Sequence, residues 1–245
     1  MWPFKKKQQI YFETDNWAVR KYAPIKSAGE FIPEKFKNMS AFANKQNHHI
    51  DSLKTVKACP GISEYMQLGY VIPAWCDIEL FPMDDGSVRA RYSDPNYNHA
   101  FHFPQQLGSL KDDKFHVRTP VKLDNPWWTY TEPGWSLLYL PMFYHEEKNW
   151  EAVPGIIDHD IGALRSPINI MLKNREYTLI KQGEPICQAI PIFREDVVAR
   201  TGDLRQSTIS RHNKISTLFN MTFKGWTKYM REHKRYKLDA QDTEL

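Results

Sequence analysis

Between Trp127 and Arg194 the chain alternates short apolar runs with proline and glycine punctuation: WWTYTEPGWSLLYLP, then VPGIIDHDIGALRSPINIMLKN, then YTLIKQGEPICQAIPIFRE. Short runs rich in Val, Ile, Tyr and Trp and bounded by turn formers predict strands. The same pattern begins earlier, in GYVIPAWCDIELFP and, beyond Asp84-Asp85-Gly86, in SVRARY. Two such runs around a turn of this kind predict a β-hairpin over about 70–92. Val88, Ala90 and Tyr92 share one of its faces, Arg89 and Arg91 the other.

The flanks read differently. Ile10, Phe12, Trp17 and Val19 alternate weakly with polar neighbours and are closed by Pro24 and Pro33, which predicts an opening strand or hairpin over 8–33. Phe36, Met39 and Phe42 stand at helical spacing, so a short amphipathic helix is expected within 34–57, ahead of the Pro60-Gly61 turn. Residues 93–113 read as a loop, and strands resume over 114–122. Beyond Arg194 the chain is polar to about 213. KISTLFNMTFKGWTKYMREHKRYK then sets Ile215, Leu218, Phe219, Phe223, Trp226, Tyr229 and Met230 at three- and four-residue steps. That spacing predicts an amphipathic helix whose opposite face carries Lys224, Lys228, Arg231, Lys234 and Arg235. The expected layout is a β-rich domain over 1–200, with its core at 62–194, and a C-terminal helical extension over 201–245 packed on it.

Composition narrows the classes. With 245 residues, 41% apolar and 25% charged, the chain can bury a sizeable core, which excludes wholesale disorder. A net charge of +4 is too weak for a nucleic-acid footprint, so nucleic acid is not the expected partner. The aromatic content, 8 Trp and 12 Tyr among it, exceeds what a core needs and predicts aromatic surface at a groove or interface. Cys59, Cys76 and Cys187 are odd in number and form no CxxC, which fits a reducing compartment. MWPFKKK lacks the apolar run of a secretory signal, and no run is long enough to span a bilayer, so a soluble protein is expected.

Candidate chemistry is sparse. Asp158-His159-Asp160, with His145 and Glu146, offers the imidazole and carboxylate that iron, manganese or zinc accept. Adjacent strand residues point to opposite faces, however, so Asp158 and His159 do not aim at one ion. No metal site is assigned, and His145 and His159 are the candidate ligands. His99 and His102 lie between Pro95 and Pro104, in a loop or strand where three-residue spacing brings no convergence. Cys187, between Ile186 and Gln188, reads as a buried, inert thiol. Ser136 has no nucleophile-elbow context. The series Trp127, Trp128, Tyr130, Trp135, Tyr139, Phe143 and Tyr144 divides between core packing and surfaces able to stack on a ligand.

The segment Gly155-Ile156-Ile157-Asp158-His159-Asp160, then a strand ending near Asn174, then Gly183, Ile186 and Gln188, resembles the core of the trimeric dUTPases and dCTP deaminases. Those enzymes carry a GxIDxDYxG motif, a strand ending in Asn and a GxxIxQ turn and strand. Pro133-Gly134-Trp135-Ser136 falls about where they have a Pro-Arg-Ser phosphate-binding turn. The resemblance covers a quarter of the chain and implies a β-clip fold, a strongly bent β-sheet core, here with a short N-terminal helix and a C-terminal amphipathic helix. It makes Asp158 the catalytic carboxylate, with Trp135, Ser136, Asp160 and Gln188 as ligand-binding positions. The departures cut against inherited catalysis. Ile161 replaces the aromatic that packs on deoxyribose, Ala163 a glycine, and Trp135 the arginine of the turn; no glycine-rich arm follows Arg194. Met171 stands at the deaminase's catalytic glutamate and cannot move a proton, which argues against deamination. Arg165, Lys173, Lys181 and Arg194 are the cations available to replace the lost arginine.

The layout, through PIKSAGEFIP, CPGI, PAWCDIE, PGW, GIIDHD and GEPICQAIP, also resembles a family of uncharacterised cyanophage-type phage proteins. That resemblance implies a viral protein of the host cytoplasm, or of the virion. The expected role is an accessory β-clip protein without classical nucleotide hydrolysis. It binds a small molecule, a second copy of itself, or another phage or host protein. The alternatives are a nucleotide phosphohydrolase using Asp158 with a divalent metal such as Mg, a virion structural component, and a metal-dependent oxygenase on a jelly roll.

Overall fold

The computed structural model describes residues 8–43, 53–84, 86–101, 120–145, 147–210 and 212–213. The chain divides into two compact units, one of Met1–Lys37 with Met66–Asp196, the other of Asn38–Tyr65 with Val197–Leu245. The first unit is mainly β. It runs β1 (Ile10–Glu13), α1 (Trp17–Tyr22), β2 (Lys26–Ser27), α2 (Glu34–Lys37), β3 (Tyr70–Pro73), β4 (Ile78–Pro82), β5 (Val88–Tyr92) and β6 (His99–Phe101). It continues through β7 (Val121–Leu123), β8 (Trp128–Thr131), β9 (Trp135–Pro141), β10 (Trp150–Ala152), β11 (Gly155–Asp158), β12 (Ile168–Leu172), β13 (Thr178–Ile180) and β14 (Pro185–Phe193).

Among the described residues all strand pairs are antiparallel, in four sheets ordered β11-β9-β14-β3-β2, β10-β12-β7-β6, β13-β4-β5 and β1-β8. Their inner faces meet in one core that includes Ile72, Trp75, Leu80, Leu123, Leu137, Ile170 and Ile186. β14 is the central strand of the largest sheet, which explains a run that is apolar but for Gln188. Ile186, Cys187, Ala189 and Ile190 are buried on alternate faces. Pairing with β3 stops at Ala189, so Pro191, which has no N–H to donate, lies beyond the β3 ladder. Cys187 is fully buried, and burial pushes its thiol up to about 12, the inert state expected from its neighbours. Among the described residues no helix is long and apolar enough to cross a membrane.

The hairpin holds for β4 and β5, where Met83 to Ser87 turn with Gly86 at φ +83° and Val88 is buried while Arg89 and Arg91 are exposed. Tyr70–Pro73 departs from the expected hairpin, because β3 leaves to pair with β2 and β14. The opening strand also ends sooner than alternation predicts. Asn16 accepts hydrogen bonds from the backbone N–H groups of Ala18 and Val19, at 3.0 and 3.3 Å, and that cap starts a helix through Trp17 and Val19. Among the described residues, the α-helix expected within 34–57 is one turn, α2. The Ser40 hydroxyl accepts from Phe42 N–H, a local bond that competes with helical pairing, and Phe42 instead bridges to Lys54. The second unit contains this bridge and a short helix, α3 (Pro60–Tyr65). His102, the strand expected over 114–119 and the helix after Lys214 lie outside the described residues.

Candidate functional site

Three segments of the first unit converge on one cluster. β9 opens after the Pro133-Gly134 turn, where Gly134 has φ +83° and a side chain would meet the Phe193 ring at 2.7 Å. The register sets Ser136 opposite Asp158 of β11 on one side and Ile192 of β14 on the other. Cross-strand partners of this kind project from the same face, and the Ser136 hydroxyl donates to Asp158 Oδ1 at 2.6 Å. β14 ends at Phe193, and Arg194 N–H donates to Gly134 O at 2.8 Å. That bond delivers the Arg194 guanidinium to the cluster. Its Nη1 donates to Ser136 Oγ at 2.8 Å and lies 3.0 Å from Asp158 Oδ1, while its Nη2 pairs with Asp160 Oδ2. Gly134 N–H adds a 2.8 Å bond to the same Asp160 oxygen.

Two carboxylates around one guanidinium leave the cluster with a net charge of −1 at neutral pH. The Ser136 hydroxyl, with Arg194 behind it, holds Asp158 below the usual aspartate range; Arg194 and the Gly134 amide do the same for Asp160. Both stay ionised well below neutrality. An aspartate so held, its Oδ1 already accepting from Ser136 and paired with Arg194, is a poor acceptor of a proton from water. Ser136 is fully buried, and its hydroxyl proton points at a carboxylate that has no need of it. Asp160 Oδ1 is buried without a partner among the described residues, an acceptor the cluster leaves unused.

His159 turns the other way, as adjacent residues of a strand do. It is fully buried, with Nε2 2.8 Å from the Tyr139 hydroxyl and Nδ1 3.2 Å from Thr129 O. A carbonyl only accepts, so Nδ1 carries the proton and Nε2 accepts from Tyr139; the imidazole is neutral. Burial pushes its pKa down, and both nitrogens are occupied within the core. His145 is half-buried between β9 and β10, its pKa lowered by burial, and its Nε2 has no partner among the described residues. Among the described residues no three His, Cys, Asp or Glu side chains come together to hold a metal ion.

No family model and no curated protein matches the chain. The cluster must therefore be read from its own chemistry. Asp158 and Asp160 of one motif and Ser136 of another meet in space. Trp135 borders them half-buried, its ring 5.2 Å from that of Phe193. Gln188 does not join them: it is 2% exposed and its amide donates to Leu68 O at 2.6 Å, farther along β14. Of the four candidate cations Arg194 alone is bonded to the cluster among the described residues. Arg165 pairs with Asp124 at 2.8 Å, Lys173 approaches Glu151 at 3.9 Å, and Lys181 lies in the turn before β14. The Gly134 amide escaped sequence reading, although the Pro-Gly dipeptide marked its turn.

Arg194→Met is expected to lower thermal stability and to shift acid unfolding to higher pH, because Asp160, only 9% exposed in its side chain, loses its cation. Arg194→Lys falls between the two, since an ammonium cannot span both carboxylates as a planar fork does. Circular dichroism melts between neutral and acid pH read both variants.

Proposed function

We propose that this chain is a binding protein on a bent, dUTPase-like β scaffold that does not hydrolyse nucleotides by the classical route. The observation that carries the reading is the state of Asp158. This carboxylate accepts from Ser136 and pairs with Arg194, so the cluster works as a clasp joining the ends of β9, β11 and β14. The scaffold reading draws support from the pairing of the two stretches that carry the resemblance, Ser136–Leu137 with Ile157–Asp158. The expected result is that a panel of deoxynucleoside triphosphates with Mg²⁺ gives no phosphate or pyrophosphate release from the protein or from Asp158→Ala. Turnover that disappears in Asp158→Ala overturns the proposal.

A nucleotide phosphohydrolase is the second reading. Arg194 favours it, because its guanidinium stands beside Ser136, where Trp135 had removed the arginine of the resemblance. It ranks second on electrostatics. A triphosphate would have to draw that guanidinium away from two carboxylates, inside a cluster already negative.

A further inference from the structure

On another face of the first unit, two exposed tryptophan rings flank a polar trough, with Lys21 Nζ 5.9 Å from the Trp17 ring centre. Trp17 is 62% exposed and Trp128 45%, large apolar surface that the core leaves in water. Trp128 and Asp15 belong to two adjoining clefts. One, of about 520 Å³, continues past Trp17, Asn96 and Arg165; the other, of about 530 Å³, continues past Glu13, Thr14 and Arg20. Neither shares a lining residue with the Asp158 cluster.

The walls are held from behind. Trp128 pairs with Glu13 in the β1–β8 ladder. Arg165 is fixed by Asp124 Oδ1 at 2.8 Å and Asn125 O at 3.1 Å, with its guanidinium 5.9 Å from the Trp128 ring centre. Asn16 caps α1 and donates to the Tyr97 hydroxyl at 2.8 Å, tying the Trp17 side of the trough to Tyr97. A trough so braced loses little freedom when a ligand arrives.

Its chemistry selects among ligand classes. Asp15 is exposed and its carboxylate accepts no hydrogen bond among the described residues, and Glu13 adds a second negative charge, so the two carboxylates offset the guanidiniums of Arg20 and Arg165 and the trough has no net positive charge to draw in an anionic ligand or a phosphate backbone. Arg165 and Arg20 stand in the same walls, which disfavours a cation seated on the rings. A purely apolar ligand would strip water from Asp15 and return nothing. What remains is a neutral molecule with apolar ring faces to lie on Trp128 and Trp17 and with hydroxyls to donate to Asp15. We infer that this trough binds a neutral oligosaccharide, its sugar faces stacked on Trp128 and Trp17 and its hydroxyls bonded by Asp15 and Asn96. Two clefts joined at Trp128 suit several sugar units better than one.

Titration of the intact protein with maltohexaose, cellohexaose, chitohexaose and mannohexaose, followed by tryptophan fluorescence and calorimetry, tests this; heparin and oligo-dT serve as anionic probes. The expected result is saturable binding of one or more neutral sugars. That affinity should fall about tenfold or more in Trp128→Ala and in Asp15→Ala. Melting curves show whether each variant stays folded, and Asp15→Ala, an exposed loop change, keeps the test open if Trp128→Ala does not. The proposal is overturned if none of the four sugars binds, if binding survives both substitutions, or if heparin or oligo-dT binds more tightly. Nucleotide turnover at Asp158, present or absent, leaves these outcomes unchanged.

Discussion

Gly69→Ala is expected to destabilise the protein by about 3 kcal/mol or more, measured as a fall in the denaturant midpoint. Gly69 enters β3 with φ +74°, a conformation that costs a side-chain-bearing residue about 1 kcal/mol. The larger part of the effect is steric. A Cβ there would lie 2.3 Å from Ala189 O and 3.0 Å from Ile190 Cα, both backbone atoms of the central strand, so no rotamer change relieves the clash. Gly69 O also accepts from Ala28 N–H at 3.0 Å, so any shift breaks that bond as well. Gly86→Ala is the internal control. It has φ +83° but open space around it, and should lose only about 1 kcal/mol. Equal losses in the two variants would show that the β3–β14 approach is not tight.

The second large effect lies at His159. His159→Leu strands the Tyr139 hydroxyl in the core, while the Thr129 carbonyl keeps the Leu164 N–H at 3.0 Å, for an expected loss of about 2–3 kcal/mol. Tyr139→Phe, which leaves only the imidazole Nε2 unpaired, should lose about 1–2 kcal/mol. The same histidine tilts stability against pH. Its native pKa is held below the ordinary 6.5 by burial, so between these values the unfolded chain binds more protons. Its contribution is therefore complete above 6.5 and is lost as pH falls toward the native value. Asp158 and Asp160, with native pKa values below the ordinary 3.8, add a second loss at lower pH, as each is protonated. His99 and His145 are shifted the same way by burial, so His159→Leu should shrink the slope of stability over about pH 5 to 7 and not abolish it. Urea titrations across that range that return an unchanged slope would sink this assignment.

What the sequence disclosed follows from which forces are local. Strand runs such as PICQAIPIF were legible because burial on two faces demands a largely apolar string, here interrupted only by Gln188, and the β4–β5 turn because Asp-Asp-Gly is a turn signal in itself. Strand alternation alone separated Asp158 from His159, and the structure keeps them on opposite sides. α1 was misread because Phe12, Trp17 and Val19 suit either period, and Asn16 decides between them by capping. The role of Arg194 depends on the β9–β14 register, set by residues far apart in the chain, so sequence could name it only among four cations. The trough escaped for the same reason. Its tryptophans come from α1 and β8, and only the aromatic excess hinted that some would remain outside.

The central position of β14 also constrains how the chain is made. β3 and β9 flank it from either side, yet β14 follows both by dozens of residues. As the polypeptide leaves the ribosome, neither neighbour has its partner until residue 193 emerges, and the clasp needs Arg194 as well. During that interval β3 and β9 each offer an open, apolar hydrogen-bonding edge to other nascent chains. A ribosome stalled just before Pro185 should therefore yield aggregation-prone chains, and one stalled well past Arg194 should release a competent sheet.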